Sequence, residues 1–384
     1  MKIISVTATP LNVPVTLDAA GIEKSTSLSV CLVRIETDAG HIGHGITAIT
    51  EEEVIAAIVK EIAAPALIGA DPLAHEALWE RLYWLLAPRG QTGYALHAMA
   101  AIDIALWDIK GKHYATPVWR LLGAARSKVP VYTTFGFGSY SRDELVTAAK
   151  WWVARGHRRL KMVVGHHALQ RRDEPRLIDE LIREDAARVR AVREAVGPDV
   201  AIYIDANCSL DAYSALRLAR ALEHCDIAFF EEPVTQNDAQ VMRHLRNTQR
   251  IPISGGQNEG LAWRFRELLE ARAVDVLQPN VAIGGGYTQC MKIAGMAAAF
   301  NTPIANGGAW THHNMHLHAG VANGGMVEYH YPAVKVCEQI YGALPAPQDD
   351  WLTLPETPGL GFEPDAERVR ALAQLPTSHG KGKA

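Results

Sequence analysis

The chain has 384 residues, 48% hydrophobic and 21% charged, with a formal net charge of −4. That length exceeds one average domain and suits two, in a composition ordinary for a globular enzyme. The small negative charge gives no electrostatic basis for a nucleic-acid or anionic-membrane partner, and no stretch approaches the roughly 20 apolar residues of a membrane span.

The N-terminal stretch Met1–Val6 carries one Lys and then alternates, without the apolar centre of a secretory leader. Ser29–Thr37 is rich in β-formers, Asp38-Ala39-Gly40 reads as a turn, and His41–Gly45 resumes a strand, so a hairpin is predicted. Asp18–Ser27 interrupts the strands with small and charged residues and reads as a mobile loop. Residues 51–113 read as helices: Asp71-Pro72 is a helix-start signal, and Ala95–Lys112 is apolar enough to be buried on most faces.

From about residue 128 short β-branched runs alternate with helical ones. The predicted strands are Val131–Phe135, Leu160–Val164, Ala201–Asp205, Ala228–Glu231, Ile251–Ser254, Val274–Gln278, Pro303–Asn306 and Met326–Glu328. Helix Ile178–Val196 carries an apolar stripe and stops at Gly197-Pro198. Repeated β-then-α units imply a parallel sheet with right-handed crossovers, and about eight of them favour closure into a barrel. The tail His379–Ala384 reads as disordered. Five cysteines, odd in number, irregularly spaced and without a CxxC pair, read as reduced thiols of a cytoplasmic protein.

Polar residues at the C-terminal ends of barrel strands face the active-site mouth. Apolar runs lead into Asp205-Ala206-Asn207, into Glu231-Glu232-Pro233, and into Ser254-Gly255-Gly256-Gln257-Asn258-Glu259. Asp205, Glu231 and Gln257 are spaced by 26 residues at each step, as successive βα units require for oxygen ligands on adjacent strand ends. Carboxylates gathered there repel unless a cation sits between them. Hard oxygen donors without His or Cys select Mg²⁺, Mn²⁺ or Ca²⁺ over zinc.

With Thr37–Gly40, Ala101–Asp108, Gly111-Lys112, Leu121-Leu122-Gly123 and Val129–Tyr132, these strand ends make the chain resemble the mandelate racemase subgroup of the enolase superfamily, over residues 1 to about 375. The resemblance implies a modified TIM (β/α)7β barrel under an α+β capping domain: residues 1–125 capping, 126–340 barrel, and 341–384 returning to the cap. Loops near residues 16–28 and 45–55 would close over substrate. It implies one Mg²⁺ per subunit, removal of a proton α to a carboxylate, an enediolate, an aldonate or aldarate substrate, and a homo-oligomer, dimer or octamer.

The chain departs from the family at several positions. Gln257 stands where the third ligand is normally Glu, with Glu259 as an alternative. The Lys-x-Lys motif reads Lys161-Met162-Val163; Lys161 remains for substrate contact or as the base itself. Asn280 and Asn306 replace the family's Asp and His. In Trp310–His316, His312 and His313 are candidates to enter the site from a loop, while His316 and His318 belong to the following helix. Glu328 is expected to hydrogen-bond the substrate carboxylate. Tyr132, Asn207, Asn280, Asn306 and His166 are further substrate-binding candidates. The reading is a sugar-acid dehydratase; a racemase or lactone cycloisomerase, or a non-catalytic sugar-acid sensor, are the alternatives.

Overall fold

The computed structural model describes residues 1–47, 51–90, 93–165, 168–169, 172–174 and 177–378. The first sheet is antiparallel, in the order β1 (Ile3–Ala19), β2 (Ile22–Thr37), β3 (Ile42–Ile46). Asp18–Ser27 is no loop: Asp18 pairs with Glu23 and Ala19 with Ile22, so both strands run to the hairpin tip. The reason is alternation. Val13, Val15, Leu17 and Ala19 are buried on one face, while their polar neighbours give the segment its loop-like composition. Ala20 (φ 59°) and Gly21 (φ 79°) close the tip as a two-residue turn with both φ positive, the twist a tight hairpin demands.

The capping helices His75–Gly90 and Tyr94–His113 follow. The second is buried along most of its length and docks on the barrel through Asp103, whose carboxylate accepts from the Thr288 hydroxyl (2.5 Å) and amide (3.0 Å). Gly286 makes that approach possible, since a Cβ there would stand 2.1 Å from Asp103 Oδ2.

The second sheet holds parallel strands β4 (Lys128–Gly136), β5 (Arg159–Val163), β6 (Ala201–Asp205), β7 (Ile227–Glu231), β8 (Ile253–Gly255), β9 (Val276–Leu277) and β10 (Val327–His330), with β10 beside β4. The predicted strand Pro303–Asn306 contracts to one parallel bridge, Leu277 with Ile304. Pro303 has no amide to offer a ladder. The Asn306 amide then donates to the Met326 carbonyl at 2.8 Å, so this stave closes the ring. Tyr132, Tyr203 and Phe229 plug the barrel interior, with ring centroids 4.4–5.7 Å apart.

The C-terminal segment first lays β11 (Trp351–Thr353) antiparallel on β4. It ends against the cap, where Ser378 donates from its amide (2.7 Å) and hydroxyl (2.8 Å) to buried Glu52. All five cysteines are free, and no helix among the described residues is long and apolar enough to cross a membrane.

Candidate metal and active site at the barrel mouth

Strand register sets the site. Val163 pairs with Asp205 and Asp205 with Glu231, so the last residues of β5, β6 and β7 form one row facing the mouth. Lys161, two residues before Val163, shares its face but lies one layer deeper. It is fully buried over the Tyr132 ring, 5.4 Å from the centroid. Its Nζ contacts Asp205 Oδ2 (2.9 Å), Glu231 Oε2 (2.8 Å) and Glu328 Oε1 (2.9 Å). Burial opposes the charge on Lys161, but these three carboxylates outweigh it and hold the ammonium well above its usual pKa. Lys161 is therefore a fixed cation here, not the free base that the sequence left open.

The carboxylates around it differ. Glu328 would rise by burial, yet the Lys161 ammonium, the Thr134 hydroxyl (2.5 Å) and the Ala309 amide (2.7 Å) hold it at about 2. It is an ionised acceptor, and both its oxygens are engaged. Glu231 is pushed well above the usual carboxylate range by burial and then by Asp205, with Lys161 only partly compensating. Its Oε1 is buried without a hydrogen-bond partner. Gly307 lies against that oxygen: a Cβ on Gly307 would come within 2.7 Å of it.

Gln257 is not in strand register with Glu231, whose partner on β8 is Ser254; it lies in the turn after Gly255. Its Nε2 nevertheless reaches the cluster, donating to Glu232 Oε2 (3.1 Å) and Asn207 Oδ1 (3.2 Å) and lying 3.4 Å from Asp205 Oδ2. A half-turn of this amide presents Oε1 in the same place. Glu259 is not the alternative ligand. Arg264 (2.9 Å) and Asn237 (3.1 Å) draw its carboxylate aside.

The donor set fits a hard divalent cation. Among the described residues, buried Asp205, Glu231 and Glu328 share a single buried ammonium, Lys161; buried Glu232 adds a fourth carboxyl group held by Asn237, Gln257 and Asn258, and one carboxylate oxygen is orphaned, so carboxyl groups outnumber the cations that could pair them. Asp205, Glu231 and Gln257 are the residues that can hold it.

A cavity of about 250 Å³ opens beside this cluster, lined by Asp205, Asn207, Gln257, Glu328, His97 and His330, among others. A second space of about 630 Å³ shares Asn207, Asn258, Val163 and His330 with it and continues under the β1–β2 hairpin past Lys24. Asn207 is exposed and lines both.

Other predicted site residues are placed elsewhere. His312 and His313 lie in helix Thr311–Gly320, fully buried away from the cavity. His312 Nε2 meets the Pro345 carbonyl (2.8 Å), and His313 Nε2 lies 3.4 Å from the Tyr341 hydroxyl among aromatic rings. The Tyr132 hydroxyl donates to the Asn306 carbonyl (2.5 Å), beneath the site. Asn306 accepts from the Glu328 amide (3.0 Å) and so braces β10. Asn280 spends its Nδ2 on the carbonyls of Gly307 (2.7 Å), Gly308 (2.9 Å) and Ala309 (3.2 Å), shaping the loop whose Ala309 amide grips Glu328. His166 lies outside the described residues.

The sequence reading missed Thr134, Asn258, His97 and His330 as cavity residues. His330 was within reach, since it lies two residues beyond Glu328 on one strand and so on the same face. His97 comes from a capping helix and carries no local signal.

Residues 144–369 match the enolase C-terminal domain-like family, and residues 2–123 match the mandelate racemase/muconate lactonizing enzyme N-terminal domain. The chain is 30% identical to arabinonate dehydratase of Saccharolobus solfataricus, covering 87% of this chain and 88% of that protein. It is 37% identical to D-galactarolactone cycloisomerase of Agrobacterium fabrum, over 71% and 69% of the two. The structure of L-talarate dehydratase from Polaromonas, solved with Mg and L-glucarate, superposes with a TM-score of 0.83 at 30% identity, covering 97% of this chain and 98% of that one.

Proposed function

The chain belongs to the mandelate racemase/muconate lactonizing enzyme family of the enolase superfamily, and from that premise we propose that it is a Mg²⁺-dependent lyase that removes water from a sugar acid. The observation that carries this reading is the cluster of buried carboxylates: Asp205 and Glu328 line the cavity, and Glu231, with an orphaned oxygen, shares Lys161 with them. Held by Asp205, Glu231 and Gln257, Mg²⁺ would supply positive charge beside the substrate carboxylate and offset the charge that builds as the α-proton leaves.

The protein's own groups do the rest. Lys161 adds a second, permanent positive charge beneath the carboxylate site, kept dry by Tyr132, Tyr203 and Phe229. Glu328, ionised, accepts from a substrate hydroxyl rather than donating to a carboxylate. Asn207 and Asn258 offer amides to the polyol chain along the two joined spaces. Loss of the α-proton and then of the 3-hydroxyl gives an enol that ketonises to a 2-keto-3-deoxy acid.

The test is a panel of four- to six-carbon aldonates and aldarates with Mg²⁺ or with EDTA, read by semicarbazide for 2-keto product. Metal-dependent product on at least one acid is expected, and Asp205→Asn should abolish both product and Mn²⁺ binding by electron paramagnetic resonance. No turnover on any acid, with unchanged Mn²⁺ binding in Asp205→Asn, overturns the proposal. The cycloisomerase relative motivates a second reading, ring opening of a lactone or anhydro sugar acid; it predicts a product isomeric with the substrate rather than one lighter by water.

A further inference from the structure

Among the described residues, the barrel positions where the family keeps its acid and base groups offer no free base to the cavity. Lys161 is locked by three carboxylates, Val163 is apolar, and Asn280 and Asn306 are spent on backbone groups. Among the described residues two imidazoles, His97 and His330, line the cavity, and their second nitrogens are committed differently. His330 caps helix Tyr331–Tyr341: its Nδ1 accepts the Ala333 amide proton at 3.3 Å. In the neutral ring the proton then sits on Nε2, so His330 presents a donor.

His97 presents the opposite. It lies in the first turn of helix Tyr94–His113, with Nδ1 2.9 Å from Thr47 Oγ1. Thr47 is fully buried and has one hydroxyl proton, which the Ala282 carbonyl at 3.4 Å is placed to accept. The shared contact then needs a proton from the ring, so Nδ1–H donates to Thr47. Among the described residues Nε2 has no hydrogen-bond partner, and His97 lines the cavity, so Nε2 is left with its lone pair. A base held in one tautomer by a hydrogen bond through its other nitrogen is the arrangement proton abstraction needs.

We infer that His97 Nε2, carried in by the capping domain and oriented by Thr47, removes the substrate α-proton. The inference rests on the lyase reading above. The Cα–H bond breaks, its proton forms an N–H bond on Nε2, and its electron pair moves into the carboxylate as the enediolate. The imidazolium then returns that proton to the 3-hydroxyl as the C–O bond breaks. The oxygen leaves as water and a carbon–carbon double bond forms, with no other reactant consumed. Both transfers use one group, so the elimination is syn. In the free protein burial holds His97 at about 4. A substrate carboxylate nearby raises it toward the range in which imidazole both takes and returns a proton.

Two measurements test this. In ¹⁵N-histidine-labelled protein, the resonance lost in His97→Gln should report an Nδ1–H tautomer at neutral pH, and Thr47→Val should mix the tautomers. An Nε2–H tautomer overturns the inference. With Mg²⁺ and the acid panel in D₂O, His97→Gln should lower both product formation and Cα–H exchange by about 10²–10⁴-fold, with Mn²⁺ affinity within about twofold of wild type because His97 is no ligand. Wild-type exchange in that variant overturns it; His97→Asn serves if the Gln variant does not fold. If the wild type exchanges Cα–H but loses no water, the lyase reading falls while the loss of exchange in His97→Gln still upholds the role of His97. If the wild type neither exchanges nor loses water, both fall.

Discussion

One arc of the barrel mouth gathers the carboxylates of Asp205, Glu231 and Glu328 around Lys161, with Gln257 beside Asp205; the other, Val163, Asn280 and Asn306, has turned to packing and bracing. The first arc is electrostatically tense. Its groups shift one another's ionisation and one oxygen lacks a partner. The second is satisfied: Asn280 Oδ1 accepts from the Ala282 amide (2.9 Å) and Asn314 (3.0 Å) while Nδ2 serves three carbonyls. The lesson is that a strand-end position can lose its chemistry and keep its structural use, provided the chemistry is supplied from elsewhere.

Three substitutions separate the arcs. The largest effect is expected from Lys161→Met, which leaves the carboxylates without a buried counter-charge. Activity should vanish, and stability should fall by about 3–5 kcal/mol in urea denaturation, with Mg²⁺ recovering part of it. A variant as stable as wild type without metal would mean the cluster does not depend on that cation. Next is Asn280→Ala, which frees the Gly307–Ala309 carbonyls and should cost about 1–3 kcal/mol. Its kcat should fall through Glu328, whose grip on the Ala309 amide loosens, while metal affinity holds. A metal affinity as low as that of Asp205→Asn would show the arcs to be one unit. The smallest effect belongs to Gln257→Glu, which restores a charge and should tighten Mg²⁺ by about tenfold in calorimetry. That gain should shrink as pH falls, because the new carboxyl must shed a proton to bind. Equal affinity for both proteins would place residue 257 outside the coordination sphere.

The first arc was legible because it is periodic: equal spacing along the chain maps onto adjacent staves, and the register puts Val163, Asp205 and Glu231 in one row. Barrel and cap were legible for the same reason, from apolar runs of fixed period. What failed was inference from composition. Asp18–Ser27 looked like a loop because its outward face is polar, although its partner strand continues beside it. His312 and His313 looked like site residues, yet a neutral imidazole can be buried, and burial holds both below the usual imidazole range. His97 was invisible for a different reason. Its partner Thr47 is 50 positions away and its cavity belongs to another domain, so no local pattern marks it.

The contact between Ser378 and Glu52 joins residues 326 positions apart. During synthesis, the barrel's staves can assemble in sequence while the capping layer still lacks its clasp. The carboxylate of Glu52, fully enclosed in the finished protein, stays hydrated until residue 378 docks on it. A folding chain can thus have a nearly finished catalytic floor under an unfastened roof, and fastening the roof means closing a loop across most of the described sequence.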